Sequence, residues 1–340
     1  MTGQHRRPLV AVTLGDPAGI GPEVAVKALA AAAQRRARRP YIPVLIGSAA
    51  VVQNAVDLAQ LKLQVRPIEA VGHAKGQPGV LDVLEMQNLD LKRAPPGRAS
   101  AAAGAACMEW ATKAAQLCLD RHVAAMVTAP INKQATRMGG FEDVGHQELL
   151  QRLSGAQDVA TMLLTPGLRV VHLTTHRSLR RACEAVTRPN IVAKLRLMDS
   201  SFREWGFAHP RIAVAALNPH ASDGGTIGDE EAREIEPAVA AAQKLGIDAH
   251  GPHPADSVFN RAIAGEFDVV LALYHDQGHI PIKVHDFHHS ASVNLGLPFL
   301  RTSVDHGTAY DIAWKGVADA TSMEAALDLA VSLVTKGRLP

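Results

Sequence analysis

Hydrophobic residues along the chain form short β-branched runs that alternate with longer alanine-rich runs. The short runs predict strands and the long runs predict helices. The predicted strands are Leu9–Leu14, Tyr41–Ile46, Ala124–Thr128, Arg169–Thr174, Ile212–Leu217 and Val269–Tyr274. The predicted helices include Pro22–Ala33, Ser100–Leu119, Arg180–Trp205 and Asp229–Leu245. This alternation favours parallel strands with crossover helices, so we expect the α/β class.

Polar motifs follow these predicted strands directly. Because the carboxyl ends of parallel strands open onto a ligand crevice, residues in such positions are candidates for binding and catalysis. The motifs are TLGDPAGIGPE (13–23), TAPINK (128–133), TTH (174–176), NPH (218–220) and HDQG (275–278). Pro, Gly and His are also concentrated between Asn218 and His306, which marks that part of the chain as rich in site residues.

Length and charge narrow the function. The chain has 340 residues, of which 47% are hydrophobic and 20% charged, so it can bury a sizeable core and two domains are expected. The formal net charge is only +2, and the lysines and arginines are dispersed. Neither nucleic acid nor a membrane is therefore an expected partner, and a small molecule is.

The chain shows no signal for export or membrane insertion. Its start, MTGQHRRPLVAVTLG, lacks the apolar core of a signal peptide, and no stretch approaches the ~18 apolar residues of a membrane span. Cys107, Cys118 and Cys183 lack the close spacing of a zinc ribbon or redox pair, so we expect reduced, buried thiols. A cytoplasmic protein is expected.

Three histidines, His176, His220 and His275, each end a predicted strand. Imidazole is a common ligand of divalent metals, and three neutral imidazoles favour zinc or cobalt over magnesium. A single histidine among the 16 in this chain is more often structural. The shared placement of these three nevertheless predicts one metal site.

Two carboxylates and a lysine accompany these histidines. Asp256 and Asp276 could orient the imidazoles or bind substrate, although aspartate also caps turns and helices. Lys133 in TAPINK could carry the proton of a substrate hydroxyl. Taken alone, Lys133 is more simply interpreted as a solvated lysine.

Two further segments have competing interpretations. TLGDPAGIGPE has glycines for tight turns and a proline suited to a first helical turn, so it could be only a strand-to-helix connection. It lacks the G-x-G-x-x-G fingerprint, so a Rossmann cofactor site is not supported. In HDFHH, His285, His288 and His289 beside Asp286 cannot all face one ion without a special backbone. We expect a flexible, solvated loop there, outside the site.

As a set, the motifs resemble the 4-hydroxythreonine-4-phosphate dehydrogenase family of pyridoxal-phosphate biosynthesis. The resemblance extends from Thr13 to about Ser322. Its segments are GDPAGIGPE (15–23), TAPINK (128–133), GH (145–146), TTH (174–176), LNPHASDGG (217–225), GPHPAD (251–256), YHDQGHIPIK (274–283) and LGLPFLRTSVDHGTAYDIA (295–313). Together they are far more specific than any one of them alone.

The resemblance implies a fold like that of isocitrate and isopropylmalate dehydrogenases, with two α/β/α domains around a cleft. We expect residues 1–128 with 290–340 to form the domain that carries the cofactor loop. Residues 129–289 are expected to form the domain with the metal and the dimer contact. The resemblance also implies a homodimer whose site lies at the subunit interface.

Lys133 and Asp256 are the catalytic candidates from their own positions, and the resemblance points to further residues. The expected metal ligands are His176, His220 and His275. The expected contacts to a small anionic hydroxy acid are His146, Gln147, Lys283, Ser292 and Arg301. NAD, with NADP as an alternative, is expected near Asp305, His306, Gly307 and Asp311.

The chain departs from the family pattern where the substrate would sit. Gln147 stands at the threonine of the family's GHTE, Ser292 replaces a substrate-side asparagine, and Trp314 stands where a glycine usually follows DIA. These changes predict a reduced preference for a phosphorylated substrate. A branch that oxidises terephthalate cis-dihydrodiol, and chains that act on four-carbon sugar-acid phosphates, are similar.

These observations predict an NAD- and metal-dependent dehydrogenase that oxidises a 3-hydroxy acid, which then loses carbon dioxide. The metal would assist hydride departure to NAD and then polarise the new ketone. The leading substrate is 4-hydroxythreonine 4-phosphate, and the alternative is terephthalate 1,2-cis-dihydrodiol, which would yield protocatechuate. A metal-dependent hydrolase or lyase with the same imidazoles, and a non-catalytic binding protein, are the other classes.

Overall fold

The computed structural model of the chain describes residues 7–35, 39–143 and 145–339. The expectations drawn from the first six residues therefore lie outside the described part. The strands, in chain order, are β1 Leu9–Thr13, β2 Ile42–Gly47, β3 Gln64–Ile68, β4 Val80–Glu85, β5 Ala125–Thr128, β6 Ala160–Thr165, β7 Leu168–His172, β8 Ile212–Ala215, β9 Ala249–His253, β10 Val269–Ala272, β11 Ala291–Leu295 and β12 Leu300–Val304.

Helices connect most of these strands. They are α1 Gly21–Arg35, α2 Ala49–Leu58, α3 Ala101–Leu119, α4 Lys133–Met138, α5 His146–Ser154, α6 Leu179–Glu184, α7 Arg188–Glu204, α8 Glu236–Lys244, α9 Ala255–Ile263, α10 His275–His285 and α11 Thr321–Lys336. Side-chain caps fix several starts, because Ser100 accepts the Ala103 N–H at 3.2 Å and Asn132 accepts the Gln134 N–H at 2.9 Å. The predicted α/β class is confirmed.

The chain divides into two compact units. Unit 1 contains the described residues of Met1–Gln157 and Leu297–Lys336, and unit 2 contains Asp158–Gly296 and Gly337–Leu339. Residues 129–157 thus belong to unit 1, whereas the sequence placed them in the second domain, and residues 290–296 belong to unit 2, whereas the sequence placed them in the first. Helices α4 and α5 pack on α3. Gly104 permits the close approach, since a Cβ there would lie 1.8 Å from the Ala135 carbonyl oxygen.

The sheet of unit 1 is parallel throughout. Its strand order is β3-β4-β2-β1-β5-β12, and every neighbouring pair is parallel. The central strands are buried on both faces, as the apolar runs at Leu9 and Ile42 predict. The carboxyl ends of β1, β5 and β12 therefore meet at one edge of this sheet.

The sheet of unit 2 is mixed, which corrects the expectation of parallel strands alone. Its order is β11-β6-β7-β10-β8-β9, and β6 runs antiparallel to both β11 and β7. Pairing of Thr165 with Leu168 leaves only Pro166 and Gly167 to turn the chain, and Gly167 has φ +84°. Only a hairpin can join strands through two residues, so β6 and β7 cannot be parallel.

Two predicted helices are interrupted. The prediction over Arg180–Trp205 is divided into α6 and α7, because Pro189 in the first turn of α7 cannot continue a preceding helix. The segment Asp229–Leu245, predicted as one helix, instead contains a π turn at Glu231–Ile235 before α8.

Each unit has its own apolar core. In unit 1, Trp110 is fully buried and its Nε1 donates to Asn88 Oδ1 at 2.8 Å. In unit 2, Val170, Val258 and Val270 form part of one buried cluster. Cys107 and Cys118 are buried free thiols, as predicted, whereas the free Cys183 is partly exposed.

Across the described ranges, no helix combines the length and hydropathy that a membrane crossing requires.

Candidate functional site

A buried arginine occupies the edge of unit 1 where β5 ends. Arg301 on β12 donates from Nε and Nη2 to Thr128 Oγ1, at 3.1 and 2.7 Å. Thr128 Oγ1 donates in turn to Ser303 Oγ at 2.9 Å. Burial lowers the pKa of Arg301 to about 10, so the guanidinium remains charged at neutral pH. The buried charge is rigidly placed at the strand end.

His146 extends this cluster, which we call the arginine group (Thr128, His146, Arg301 and Ser303). Burial, and then the charge of Arg301, lower the pKa of His146 well below its ordinary value, so the ring is neutral at pH 7. Its Nε2 is buried and finds no hydrogen-bond partner among the described residues. A charged guanidinium beside an unsatisfied imidazole nitrogen suits an anionic ligand such as phosphate or carboxylate.

Two other predicted site residues lie at helix starts in unit 1. Gln147 is the second residue of α5, directly after His146, and is partly buried. Lys133 is exposed at the first position of α4, where Asn132 caps the helix. Gln147 therefore directly follows a member of the arginine group in the sequence, and Lys133 is accessible to solvent or to a ligand.

The predicted cofactor segment follows β12. Asp305 and His306 are partly buried, and Gly307 and Asp311 are exposed. A Cβ at Gly307 would meet no atom within 4 Å, so the backbone there is open to approach. The Asp305 N–H donates to Ser322 Oγ at 3.3 Å, which ties the segment to α11.

The GDPAGIGPE motif holds this segment in place. Tyr310 donates its hydroxyl to Asp16 Oδ2 at 2.6 Å, and Asp16 Oδ1 accepts the Ala18 N–H at 2.8 Å. Trp314 Nε1 donates to the Pro17 carbonyl at 2.9 Å. Burial raises the pKa of Asp16, although the bond from Tyr310 opposes that shift. The motif is therefore more than a strand-to-helix connection.

Glu23 at the end of the motif makes a second attachment. Its Oε1 accepts from Lys27 Nζ at 2.6 Å and from the Ala318 N–H at 2.9 Å. Lys27 also donates to the carbonyls of Gly316 and Ala318, at 3.0 and 2.9 Å. Sequence reasoning missed Asp16 and Glu23 as organisers, although two acids in a glycine- and proline-rich turn were a signal.

In unit 2, the predicted ligands His176 and His275 lie near each other. Their ring centroids are 5.8 Å apart. His275 Nδ1 is 2.7 Å from Asp276 Oδ1. Such a contact fixes the tautomer and leaves Nε2 for a ligand, as carboxylates commonly do for metal-binding histidines. The orienting role expected of Asp276 thus has a matching contact.

Two histidines that the sequence did not single out complete an imidazole group (His172, His176, His275 and His279). His279 stacks on His275 with centroids 3.6 Å apart, and its Nδ1 lies 3.1 Å from His172 Nε2. Burial, and then the neighbouring histidines, lower the pKa of His172 to about 3. Spacing of four residues on α10 could have revealed His279, but His172 inside a strand gave no signal.

His220 lies in a separate turn after β8. The run from His220 to Gly224 has φ between +46° and +70°. Left-handed backbone costs a non-glycine residue about 1–2 kcal/mol, so the turn needs support. Buried Glu231 gives it, because Oε1 accepts the N–H groups of Leu217 and Asn218 at 2.8 and 2.7 Å, and Ser222 donates to Oε2.

The single chain does not assemble the predicted metal site. Among residues 7–35, 39–143 and 145–339, no group of three or more His, Cys, Asp or Glu side chains is placed to hold a metal ion. The side chain of His220 is 67% exposed and approaches Asp223 at 3.9 Å. Imidazole chemistry suits zinc or cobalt, but of the three predicted ligands the described part of one chain brings together only His176 and His275.

The remaining predicted residues of unit 2 are distributed over three elements. Asp256 is exposed in the first turn of α9, Lys283 on α10 has Nζ 5.1 Å from the Phe287 ring, and Ser292 is buried on β11. The HDFHH segment is solvated, as expected, but it is not a loop throughout, because His285 is the last residue of α10. It is also ordered by Asp286, which accepts the N–H groups of His288 and His289 at 3.1 Å.

Comparison with known proteins gives one consistent result. The profile of the family described as "Pyridoxal phosphate biosynthetic protein PdxA" matches residues 40–330. D-threonate 4-phosphate dehydrogenase of Pectobacterium atrosepticum is 40% identical over 330 residues, which are 96% of this chain and 99% of that protein.

Two solved structures extend the comparison. The 4-hydroxythreonine-4-phosphate dehydrogenase of Klebsiella pneumoniae has 41% identity and a TM-score of 0.88, over 96% of this chain and 100% of that one. The terephthalate 1,2-cis-dihydrodiol dehydrogenase of Burkholderia xenovorans LB400 has 31% identity and a TM-score of 0.64, over 98% and 100%. All three of these similar proteins are dehydrogenases by name.

Proposed function

Because the chain belongs to the PdxA family, we propose that it is an NAD- and metal-dependent dehydrogenase of a phosphorylated 3-hydroxy acid. D-threonate 4-phosphate is the proposed substrate and 4-hydroxythreonine 4-phosphate the next candidate. Similarity to proteins named for these substrates is greater than similarity to the terephthalate enzyme. It outweighs the reduced phosphate preference that Gln147 and Ser292 suggested.

The arginine group carries this proposal. A phosphate monoester has close to two negative charges and several acceptor oxygens. The Arg301 guanidinium, held by Thr128 Oγ1, is close enough to His146 to lower its pKa, and the buried His146 Nε2 has no hydrogen-bond partner within the described part of the chain. A neutral imidazole donates one N–H to a phosphate oxygen, and an arginine adds charge-assisted bonds.

The chemistry follows from the substrate. In D-threonate 4-phosphate, the C3 hydroxyl lies beta to the carboxylate. Oxidation transfers the C3 hydrogen as hydride to NAD and the hydroxyl proton to a base, and exposed Lys133 is the candidate for that base. The C1–C2 bond then breaks, carbon dioxide leaves, and a proton returns to C2. Asp256 is the second candidate for proton transfer.

The metal proposal rests on the donor chemistry and on the position of His275. His176, His220 and His275 would hold a zinc or cobalt ion, with Asp276 orienting His275. A divalent ion supplies a Lewis acid that makes the hydroxyl more acidic and draws electrons toward the new carbonyl. Because the described part of one chain brings no three candidate ligands together, a second chain would complete the set.

A homodimer provides that second chain. Ile280 and Val284 on α10 are 58% and 81% exposed, and Phe287, two residues after the end of the helix, is 62% exposed. The spacing of four residues places Ile280 and Val284 on one helical face, on the same helix as His275 and Lys283. A large exposed apolar stripe favours burial against a partner, and a second copy would bring its own histidines to this helix.

The open backbone at Gly307 supports a cofactor site in the segment after β12. Asp305 and Asp311 are two carboxylates in this segment. They would accept ribose hydroxyls and repel a 2′-phosphate, which favours NAD over NADP.

A substrate panel tests the proposal. Purified protein with zinc or cobalt is assayed for NADH formation with D-threonate 4-phosphate, 4-hydroxythreonine 4-phosphate and terephthalate dihydrodiol, and for carbon dioxide release. We expect the highest kcat/KM with D-threonate 4-phosphate and one carbon dioxide per NADH. If the dihydrodiol is the substrate with the highest turnover, the proposed substrate is wrong. If the protein hydrolyses a compound without forming NADH, the proposed reaction class is wrong.

A further inference from the structure

Unit 1 contains a cavity at the amino ends of its parallel strands, whereas Thr128 lies at their carboxyl ends. We call it the amino-end cavity. Leu9 and Ile42, the first residues of β1 and β2, line it together with Ala124 and Phe299, which directly precede β5 and β12. Its volume is about 450 Å³, within the range of cavities that hold small ligands. No residue assigned above to substrate, metal or cofactor lines it.

The side chains with a permanent charge that line this amino-end cavity are two arginines, beside one histidine. Arg7, Arg121 and His122 contribute to the wall, and within the described part of the chain no Asp or Glu side chain does. The remaining lining residues are apolar or small. Basic side chains beside apolar surface, without a carboxylate, create a positive potential that attracts an anion.

Arg7 is fixed by the backbone around it. Its Nη1 and Nη2 donate to the carbonyls of Arg39 and Lys75, at 3.4 and 3.2 Å. Carbonyl partners leave the charge of Arg7 uncompensated, because they carry no full negative charge. Burial lowers the pKa of the neighbouring Arg39, Tyr41 opposes that shift, and the charge of Arg7 adds to it.

Arg121 and His122 are presented by a defined turn after α3. Their N–H groups donate to the carbonyls of Cys118 and Leu117, at 3.0 and 2.8 Å, and Arg121 has φ +58°. Both side chains are exposed. The backbone geometry places them at the rim without loop rearrangement, which lowers the entropy cost of binding.

We propose that this amino-end cavity binds a small organic anion that joins a carboxylate or phosphate head to an apolar body. Arg121 and Arg7 would contact the head, and Leu9, Ile42 and Phe299 would cover the body. The site is separate from the proposed dehydrogenase site, and its occupation needs neither cofactor nor turnover. A failed activity assay therefore leaves this proposal intact, and the reverse also holds.

Calorimetry with octanoate tests the proposal on the full chain. We expect one saturable site per chain, with binding at least about tenfold weaker for octanamide, which has the same length but no charge. Arg121→Glu should weaken octanoate binding by at least about tenfold. Ala124→Leu should abolish it by filling the cavity.

Two variants control for binding elsewhere. Arg93→Glu makes the same charge change at an exposed position of unit 1 with no part in the cavity, and should bind octanoate like the parent protein. Arg301→Lys alters the arginine group and should also leave octanoate affinity unchanged. The proposal is overturned by absent saturable binding, by equal octanamide binding, or by unchanged binding in folded Arg121→Glu and Ala124→Leu proteins.

Discussion

The arginine group of unit 1 and the imidazole group of unit 2 differ in how far one chain completes them. Arg301 is 6% exposed and is held by two hydrogen bonds to Thr128. In contrast, the side chain of His275 is 38% exposed, and the third expected ligand, His220, lies on a separate turn. A buried charge needs polar partners as soon as the chain folds. A metal ligand, in contrast, can remain exposed to solvent until it binds an ion or contacts a second chain.

The largest effect on activity is expected from a substitution in the imidazole group, which a single chain leaves incomplete. His275→Ala should abolish both metal retention and NADH formation, because it removes a ligand together with its Asp276 contact. Metal content and turnover are measured after dialysis. His250→Ala, at an exposed histidine paired with Asp248, should retain both. Stoichiometric metal with full activity in His275→Ala would remove this residue from the site.

Mixed dimers test whether a second chain completes the imidazole group. His220→Ala and His275→Ala proteins are expected to be inactive alone and to regain activity when their subunits exchange, because each site would take His275 from one chain and His220 from the other, and a mixed dimer holds one site with both. Activity is measured before and after mild dissociation and reassembly. A fully active monomer at low concentration in sedimentation runs would contradict the dimer requirement.

A substitution in the arginine group, which a single chain completes, should lower activity less. Arg301→Lys keeps a positive charge but loses the planar contacts to Thr128 and to an anionic substrate. Loss of one charged hydrogen bond costs about 1.5–3 kcal/mol, so kcat/KM should fall roughly 10- to 150-fold. Arg93→Lys is the matched surface control. An unchanged kcat/KM in a folded Arg301→Lys enzyme would separate Arg301 from the substrate.

His146 should make stability depend on pH. Its pKa is lowered in the folded state by burial and then by Arg301, so the unfolded chain binds the proton more readily. Stability is therefore full above pH ~6.5 and falls by up to about 1.4 kcal/mol per pH unit below it, until the folded-state pKa is reached.

Urea unfolding between pH ~7.5 and ~5 measures this dependence. The His146→Gln protein should show a shallower loss of stability than the parent protein over the same window. An identical slope in the two proteins would show that His146 does not titrate as its burial implies.

The smallest effect is expected from restoring the family residues. Gln147→Thr with Ser292→Asn should change the ratio of kcat/KM for D-threonate 4-phosphate and terephthalate dihydrodiol by less than about tenfold. The Gln147 amide can donate a hydrogen bond in place of a threonine hydroxyl. A much larger gain for the phosphorylated acid would restore the interpretation that these two residues disfavour phosphate.

Local pattern predicted much of the fold. The apolar runs at Leu9, Tyr41 and Val269 located buried strands to within one or two residues, because burial on both faces requires such runs. The hairpin of β6 and β7 was missed although Pro166 and Gly167 give a turn signal. A polar segment precedes these two strands, and the two-residue turn was not interpreted as a reversal of chain direction.

The site was less predictable because its contacts join distant parts of the sequence. The strand-end motifs place Thr128 and His275 beside the sheets, whereas Arg301, inside β12, was expected only from the family resemblance. The Asp16 contact to Tyr310 spans 294 positions, and no local pattern reports such a pair. The left-handed turn at His220 depends likewise on Glu231, which lies after the turn and is buried.

These long-range attachments have a consequence for biosynthesis. Nearly all of unit 2 is one continuous stretch, Asp158–Gly296, whereas unit 1 needs β12 and the segment after it. During synthesis, β5 remains an unpaired sheet edge, and Asp16 and Glu23 remain without Tyr310 and Ala318, until residues 297–336 have left the ribosome. The first unit to begin translation is therefore the last to be completed, and a chain that stops after Gly296 exposes an aggregation-prone edge strand.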